Sequence, residues 1–115
     1  MDKILMLNND LDTMGLLKTW LEAKTYQVQI TSSRREVPQL IHDFKPSLII
    51  ADIIQNQVVQ DLKENEKTRN IPILLMSGYT KGQEVINLNV DDVIEKPFNL
   101  PLFEYKLQKL LKKAS

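Results

Sequence analysis

Short apolar runs alternate along the chain with segments of helical periodicity. Continuous apolar runs that stop abruptly at polar residues are typical of strands buried on both faces. Such runs occupy 4–7, 48–51, 71–76 and, more briefly, 93–94. Val28 and Ile30 instead alternate with polar residues, which predicts an edge strand with one face in water. The pattern therefore predicts five strands.

Between these strands the apolar positions follow a helical period. Helices are predicted over 11–24, around 58–62, around 85–88 and over 103–111. Another helix starts either at Ser33, which has capping-box spacing to Glu36, or near Val37, because Pro38 would clash one turn back. Gly15 costs its helix about 1 kcal/mol relative to alanine, from which we expect close packing at that position. The charge run 63–67 predicts a solvated helix face or loop.

Strands that alternate with helices favour a parallel sheet covered on both faces. We therefore predict an α/β fold in which a doubly wound, five-stranded parallel sheet is flanked by five helices. For so short a chain the expected strand order is the flavodoxin-like 2-1-3-4-5. No repeat or linker interrupts the pattern, so residues 1–115 are expected to form a single domain.

The composition of the chain excludes several classes of function. The chain has 15 basic and 15 acidic residues, so its net charge is zero and it lacks the basic surface that nucleic-acid binding usually needs. It has no cysteine and one histidine, which excludes disulfides, thiolate metal sites and multi-histidine metal motifs. No signal peptide and no apolar stretch of about 18 residues occurs. The expectation is a cytoplasmic protein that contacts neither membrane nor nucleic acid.

Polar residues of several kinds follow the predicted strands. They are Asn8 and Asn9, Asp52, Ser77 and Lys96. In a parallel sheet the carboxyl ends of the strands share one edge, and ligands bind there. Any one of these residues is most simply a polar residue that ends a strand. Together, a carboxylate, a hydroxyl, an ammonium and two amides predict a functional pocket.

These motifs resemble the receiver domain of two-component response regulators, nearly from end to end. The segments that carry the resemblance are KILML, KPSLIIADI, IPILLMSG and DDVIEKPF, and they occur in the same order as in the family. The resemblance implies that Asp52 accepts a phosphoryl group, that Ser77 donates a hydrogen bond to it and that Lys96 pairs with the carboxylate or the phosphoryl oxygens. It also implies a cis peptide bond before Pro97, a histidine kinase or phosphotransfer protein as partner, and no enzyme activity in the ordinary sense.

The sequence departs from the family at the metal site. The family holds Mg²⁺ with two acidic residues after the first strand, where this chain has Asn8 and Asn9. A unit charge pair at about 4 Å contributes up to about 4 kcal/mol at an effective dielectric constant of about 20. Asn9 and Asp52 remain as ligands, so we expect Mg²⁺ to bind weakly or not at all. The chain is thus identified as an atypical, degenerate member.

Other departures concern signalling. The segments from Asp52 to Ser77 and from Ser77 to Lys96 are shorter than is usual in the family, and Val93 stands where the family's switch has an aromatic ring. A rotating ring is therefore unavailable at that position.

Three functions stay open at this point. The first is a working receiver that is phosphorylated on Asp52. The second is a pseudo-receiver that docks onto proteins without phosphorylation, for which the basic terminal helix offers one possible surface. The third, a flavin- or nucleotide-binding enzyme, is disfavoured because Asn8-Asn9-Asp10 contains no glycine that could cradle a phosphate.

Overall fold

A computed structural model describes residues 2–7, 11–52, 56–77 and 90–114. Its five strands form one sheet in the order β2-β1-β3-β4-β5, and every neighbouring pair is parallel. The strands are β1 Lys3–Leu7, β2 Gln27–Thr31, β3 Leu48–Asp52, β4 Ile73–Ser77 and β5 Asp92–Glu95. The predicted strands, their order and the edge position of β2 are confirmed.

Helices connect these strands. They are α1 Leu11–Ala23, α2 Val37–Phe44, α3 Asn56–Glu64 and α4 Leu100–Ala114, and a short 3-10 turn, Arg34–Glu36, precedes α2. Four α-helices thus lie in the described part of the chain, where five were expected over the whole. The helix predicted around 85–88 falls outside the described residues. Nowhere in the described ranges is a helix long and apolar enough to span a membrane.

Proline and backbone conformation determine the ends of α2. Val37 is its first residue and Pro38 occupies the first turn, where a missing amide donor costs nothing. The alternative start at Ser33 is wrong for α2, because Ser33 precedes the 3-10 turn and its side chain makes no capping hydrogen bond. Lys45 ends the helix in the left-handed conformation (φ 53°), with its amide donating to the Ile41 carbonyl.

The expectation of close packing at Gly15 is wrong. A β-carbon built on Gly15 would have no atom of another element within 4 Å. The side chain of the next residue, Leu16, is exposed, so Leu16 lies on the side of α1 that faces away from the sheet.

Apolar side chains from alternate strand positions form a core on each face of the sheet. One core lies under α1 and α4 and centres on Phe103, which is fully buried between Trp20 and Phe98. The other lies under α2 and α3 and includes Val37 and Val59. The sheet is therefore covered on both faces, as predicted.

The prediction that 63–67 is solvated is wrong for Lys63. The side chain of Lys63 is only 8% exposed, and its ammonium donates to the carbonyls of Arg69 (3.1 Å) and Ile71 (3.0 Å) and to Oδ2 of Asp91 (2.7 Å). The same Asp91 oxygen accepts the backbone amide of Ile73 at 2.7 Å. An ammonium has three hydrogens to donate. All of them are used here, which ties the end of α3 to the starts of β4 and β5.

Candidate functional site

Asp52 is the last residue of β3, the central strand of the sheet. It pairs with Met76 of β4, and its relative exposure is 7%. The four residues before it are apolar and buried, so they contribute to the cores on both faces of the sheet. The last position of the strand places a carboxylate at the edge. This is the edge at which parallel α/β sheets bind ligands.

Lys96 lies against that carboxylate. Its ammonium donates to Oδ2 of Asp52 at 2.6 Å, although the residues are 44 positions apart in the chain. The Lys96 side chain is 25% exposed and that of Asp52 is 9% exposed. A charge-assisted contact of this length is strong because little water surrounds it. The structure thus brings two of the predicted site residues into direct contact.

The backbone on both sides positions Lys96. Its amide donates to the carbonyl of Ser77 at 2.7 Å, which continues the pairing of β4 with β5. The Lys96–Pro97 peptide bond is cis, as the resemblance implied. The next residue, Phe98, stacks on Phe103 with ring centroids 5.5 Å apart. Lys96 is therefore held between the sheet and the core beneath α4.

Ser77 ends β4, the strand next to Asp52. Its relative exposure is 1%, and it pairs with Glu95 of β5. Its carbonyl receives the Lys96 amide, so Ser77 and Lys96 are joined through the backbone. The three predicted residues Asp52, Ser77 and Lys96 consequently lie at the same edge of the sheet.

The other predicted site residues, Asn8 and Asn9, fall outside the described residues. Of the predicted Mg²⁺ ligands, the described residues include Asp52 alone, whose carboxylate contacts the Lys96 ammonium. Across the described ranges, no three acidic, histidine or cysteine side chains cluster closely enough to hold a metal. Mg²⁺ prefers several charged oxygen ligands, of which the described part of the site supplies one predicted carboxylate.

Thr31 is a second buried hydroxyl residue at this edge, and it is not among the site residues predicted from the sequence. It ends β2 with a relative exposure of 6%. Its Oγ1 donates to Oε1 of Glu36 at 3.2 Å and accepts the amide of Ser33 at 3.0 Å. Thr31 thus supports the turn before α2. The sequence feature that could have identified Thr31 is its position as a hydroxyl residue at the end of the alternating strand β2.

This arrangement combines a nucleophile with a fixed positive charge. A carboxylate oxygen can attack phosphorus to form an acyl phosphate. An adjacent ammonium reduces the repulsion between that carboxylate and an incoming anion. The edge can therefore receive a phosphoryl group, or it can persist as an ion pair.

Comparison with known proteins identifies relatives of the chain and structures that share its fold. No protein-family model matches the sequence. The nisin biosynthesis regulatory protein NisR of Lactococcus lactis is 30% identical over 117 residues, which cover 96% of this chain and 51% of that protein. The solved N-terminal domain of the nisin resistance regulator NsrR, a lantibiotic response regulator, is 33% identical with a TM-score of 0.79. That match covers 96% of this chain and 98% of the NsrR domain.

More distant structures share the fold. The receiver domain of a sensor histidine kinase from Pseudomonas aeruginosa, which carries a magnesium ion in its active-site cleft, is 15% identical with a TM-score of 0.85. The match covers 96% of this chain and 98% of that domain. The present chain spans about half the length of the curated relatives that it matches. The fold, the strand-edge residues and the NsrR match together show that the chain belongs to the response regulator receiver domains of two-component signalling systems.

Proposed function

We propose that residues 1–115 form one receiver domain in which Asp52 accepts a phosphoryl group from a histidine kinase or a phosphotransfer protein. The observation that supports this most directly is the 2.6 Å contact between the Lys96 ammonium and the Asp52 carboxylate at the carboxyl edge of the sheet. A buried carboxylate with one fixed cation beside it suits an incoming dianion.

The proposed step is a displacement at phosphorus. An Asp52 oxygen forms a bond to phosphorus, and the bond from phosphorus to the donor's imidazole nitrogen breaks. The electron pair leaves with the imidazole, and the product on Asp52 is an acyl phosphate. Lys96 then pairs with the phosphoryl oxygens, and the hydroxyl of Ser77 donates a hydrogen bond to one of them. The domain is in this role a substrate of phosphoryl transfer and not a turnover enzyme.

We also propose that any Mg²⁺ site is weak. Asp52 is one carboxylate already in contact with a cation, and the sequence after β1 begins with two amides, Asn8 and Asn9. An Mg²⁺ titration followed by calorimetry tests this proposal. Saturation only well above about 1 mM supports it, and sub-millimolar binding contradicts it.

Intact-protein mass spectrometry tests the phosphoacceptor. The domain is incubated with acetyl phosphate, with and without Mg²⁺, beside the variant Asp52→Asn. A gain of one phosphoryl group by the native chain alone supports the proposal. No gain under any condition, or an equal gain in Asp52→Asn, contradicts it.

A second function is favoured by the same contact. The Lys96–Asp52 pair joins β3 directly to the residue after β5, and the sequence after β1 has two amides where metal-assisted transfer needs negative charge. The chain would then be a pseudo-receiver that docks onto a partner protein in one standing conformation. Phosphorylation-independent binding of that partner, unchanged in Asp52→Asn, would distinguish it from the first function.

A further inference from the structure

An apolar groove lies between α2 and α3, away from Asp52. Its volume is about 490 Å³, within the usual range for ligand sites, and its floor is formed by Pro38, Ile41 and Leu62. Its far end is formed by the residues that follow the two helices, Lys45 after α2 and Lys67 and Thr68 after α3. In this fold the helices run antiparallel to the strands, so those ends lie at the edge of the sheet opposite Asp52.

The groove has a positive rim. Lys45 and Lys67 are both exposed, and neither ammonium makes an ion pair with any other described residue. The acidic residue in the lining, Asp61, is paired with the guanidinium of Arg34 at 3.1 Å and accepts the Gln57 amide at 3.0 Å. Its charge is therefore compensated, and among the residues that line the groove the two lysines carry the charges that have no ion-pair partner.

Hydrogen bonds hold the lysines' backbone in place. Lys45 has the left-handed conformation that closes α2, and its amide donates to Ile41. The Lys67 amide donates to Oδ1 of Asn65 at 2.9 Å, and Oγ1 of Thr68 donates to the Leu62 carbonyl at 2.6 Å. These contacts order both turns. Because the turns need not be ordered when a ligand binds, the entropic cost of binding is lower.

We propose that this groove binds an acidic segment of a partner protein, whose apolar side chains fill the floor over Ile41 and Leu62 and whose carboxylates meet Lys45 and Lys67. Charge complementarity selects this occupant. A basic or neutral apolar segment would leave both ammonium groups uncompensated at the rim. The site is independent of Asp52 chemistry, because it lies at the other edge of the sheet and shares no residue with the phosphoacceptor site.

Lysines after helix C-termini also have a structural explanation, since a cation there interacts favourably with the helix dipole. That explanation predicts that replacing them changes stability and leaves ligand binding unaffected. That explanation does not account for the apolar groove beside the two lysines. It also does not account for the lack of a carboxylate partner for either lysine among the described residues.

The test uses the whole chain and a synthetic peptide probe, acetyl-Asp-Glu-Leu-Phe-Glu-Asp-Leu-amide, labelled with fluorescein. A control peptide has lysine in place of each acidic residue. Binding is followed by fluorescence anisotropy up to about 1 mM peptide, and the site is located from amide chemical-shift changes in nitrogen-edited NMR spectra. The proposal predicts shifts confined to α2, α3 and the turns after them, with the acidic peptide only.

Charge-reversal variants then separate the groove from general electrostatics. The double variant Lys45→Glu with Lys67→Glu should weaken binding about tenfold or more. The matched control, Lys18→Glu with Lys109→Glu, makes the same change in net charge on the opposite face of the sheet and should weaken it less than about threefold. Thermal melting of each variant shows that the fold is retained.

A milder variant tests the apolar floor. Ile41→Ala keeps every charge and should weaken the acidic peptide about fivefold, since it removes buried apolar area from the contact. Three results would overturn the proposal: no shift in α2 or α3 up to the highest peptide concentration, equal weakening by both double variants, or equal binding of the lysine-containing peptide.

Discussion

The Lys96 ammonium lies 2.6 Å from Oδ2 of Asp52, and both groups are largely shielded from water. This contact joins the end of the central strand to the residue after β5. It has two consequences for the molecule. It ties the end of β3 to the residue after β5, and it holds a cation beside the carboxylate that we propose as the phosphoacceptor.

The two partners of this pair should not contribute equally to stability. Replacing Lys96 by methionine leaves the nearly buried Asp52 carboxylate without its cation, which should lower the free energy of unfolding by about 1–2 kcal/mol. Replacing Asp52 by asparagine leaves an ammonium whose side chain, 25% exposed, can turn to water, so the loss should be smaller. Urea unfolding at neutral pH measures both. A larger loss in Asp52→Asn than in Lys96→Met would contradict the assigned geometry.

Lys63 should be far more important for stability than its place in a charged segment suggests. Lys63→Met removes three hydrogen bonds and leaves two backbone carbonyls and Asp91 without that donor, which should cost about 2–3 kcal/mol. The matched control is Lys67→Met in the same segment, an exposed lysine whose replacement should change stability by less than about 0.5 kcal/mol. Urea unfolding of the two variants gives the comparison. Equal effects would show that the buried network is not present in solution.

Alkaline pH should destabilise the protein through Tyr26. Burial, and to a lesser extent the charges of Asp2 and Glu104, raise the pKa of the Tyr26 phenol above its ordinary value of 10.0. The unfolded chain therefore releases this proton at lower pH than the folded chain does. Stability from this group is complete below about pH 10 and declines as the pH rises through the folded-state pKa.

The measurement is an ultraviolet titration of phenolate, with the melting temperature recorded in parallel. The chain has three tyrosines, and Tyr26→Phe should remove a step above pH 10 and flatten the loss of stability there. The matched control, Tyr105→Phe on the exposed side of α4, should leave both in place. If the step that Tyr26→Phe removes lies at or below pH 10.0, the effect of burial is contradicted.

The architecture followed from the sequence because its signals are local. Each strand of a doubly covered parallel sheet is a short apolar run, and the position of Pro38 was enough to favour Val37 as the start of α2. The contact of Asp52 with Lys96 could be expected for a different reason. Asp52 ends β3 and Lys96 follows β5, and the topology brings the ends of parallel strands to one edge.

The errors concern features that depend on which other parts of the fold lie nearby, and the local sequence does not show this. Lys63 belongs to a charged run, and nothing local indicates that its acceptor Asp91 lies 28 residues further along the chain. Gly15 was expected to pack closely because glycine destabilises a helix relative to alanine. The position is open, so close packing does not explain the glycine. The helical stripes of α2 and α3 predicted buried faces but could not predict the groove that remains between them.

The central claim is that the Asp52 carboxylate accepts the phosphoryl group, and chemical trapping tests it at that residue. Borohydride reduces an acyl phosphate to an alcohol, so it converts a phosphorylated aspartate to homoserine. After incubation with acetyl phosphate and reduction, peptide mass mapping should find homoserine at position 52 and at no other aspartate. Unmodified Asp52 in a chain that has been exposed to phosphodonor with and without Mg²⁺, or homoserine at another position, would contradict the claim.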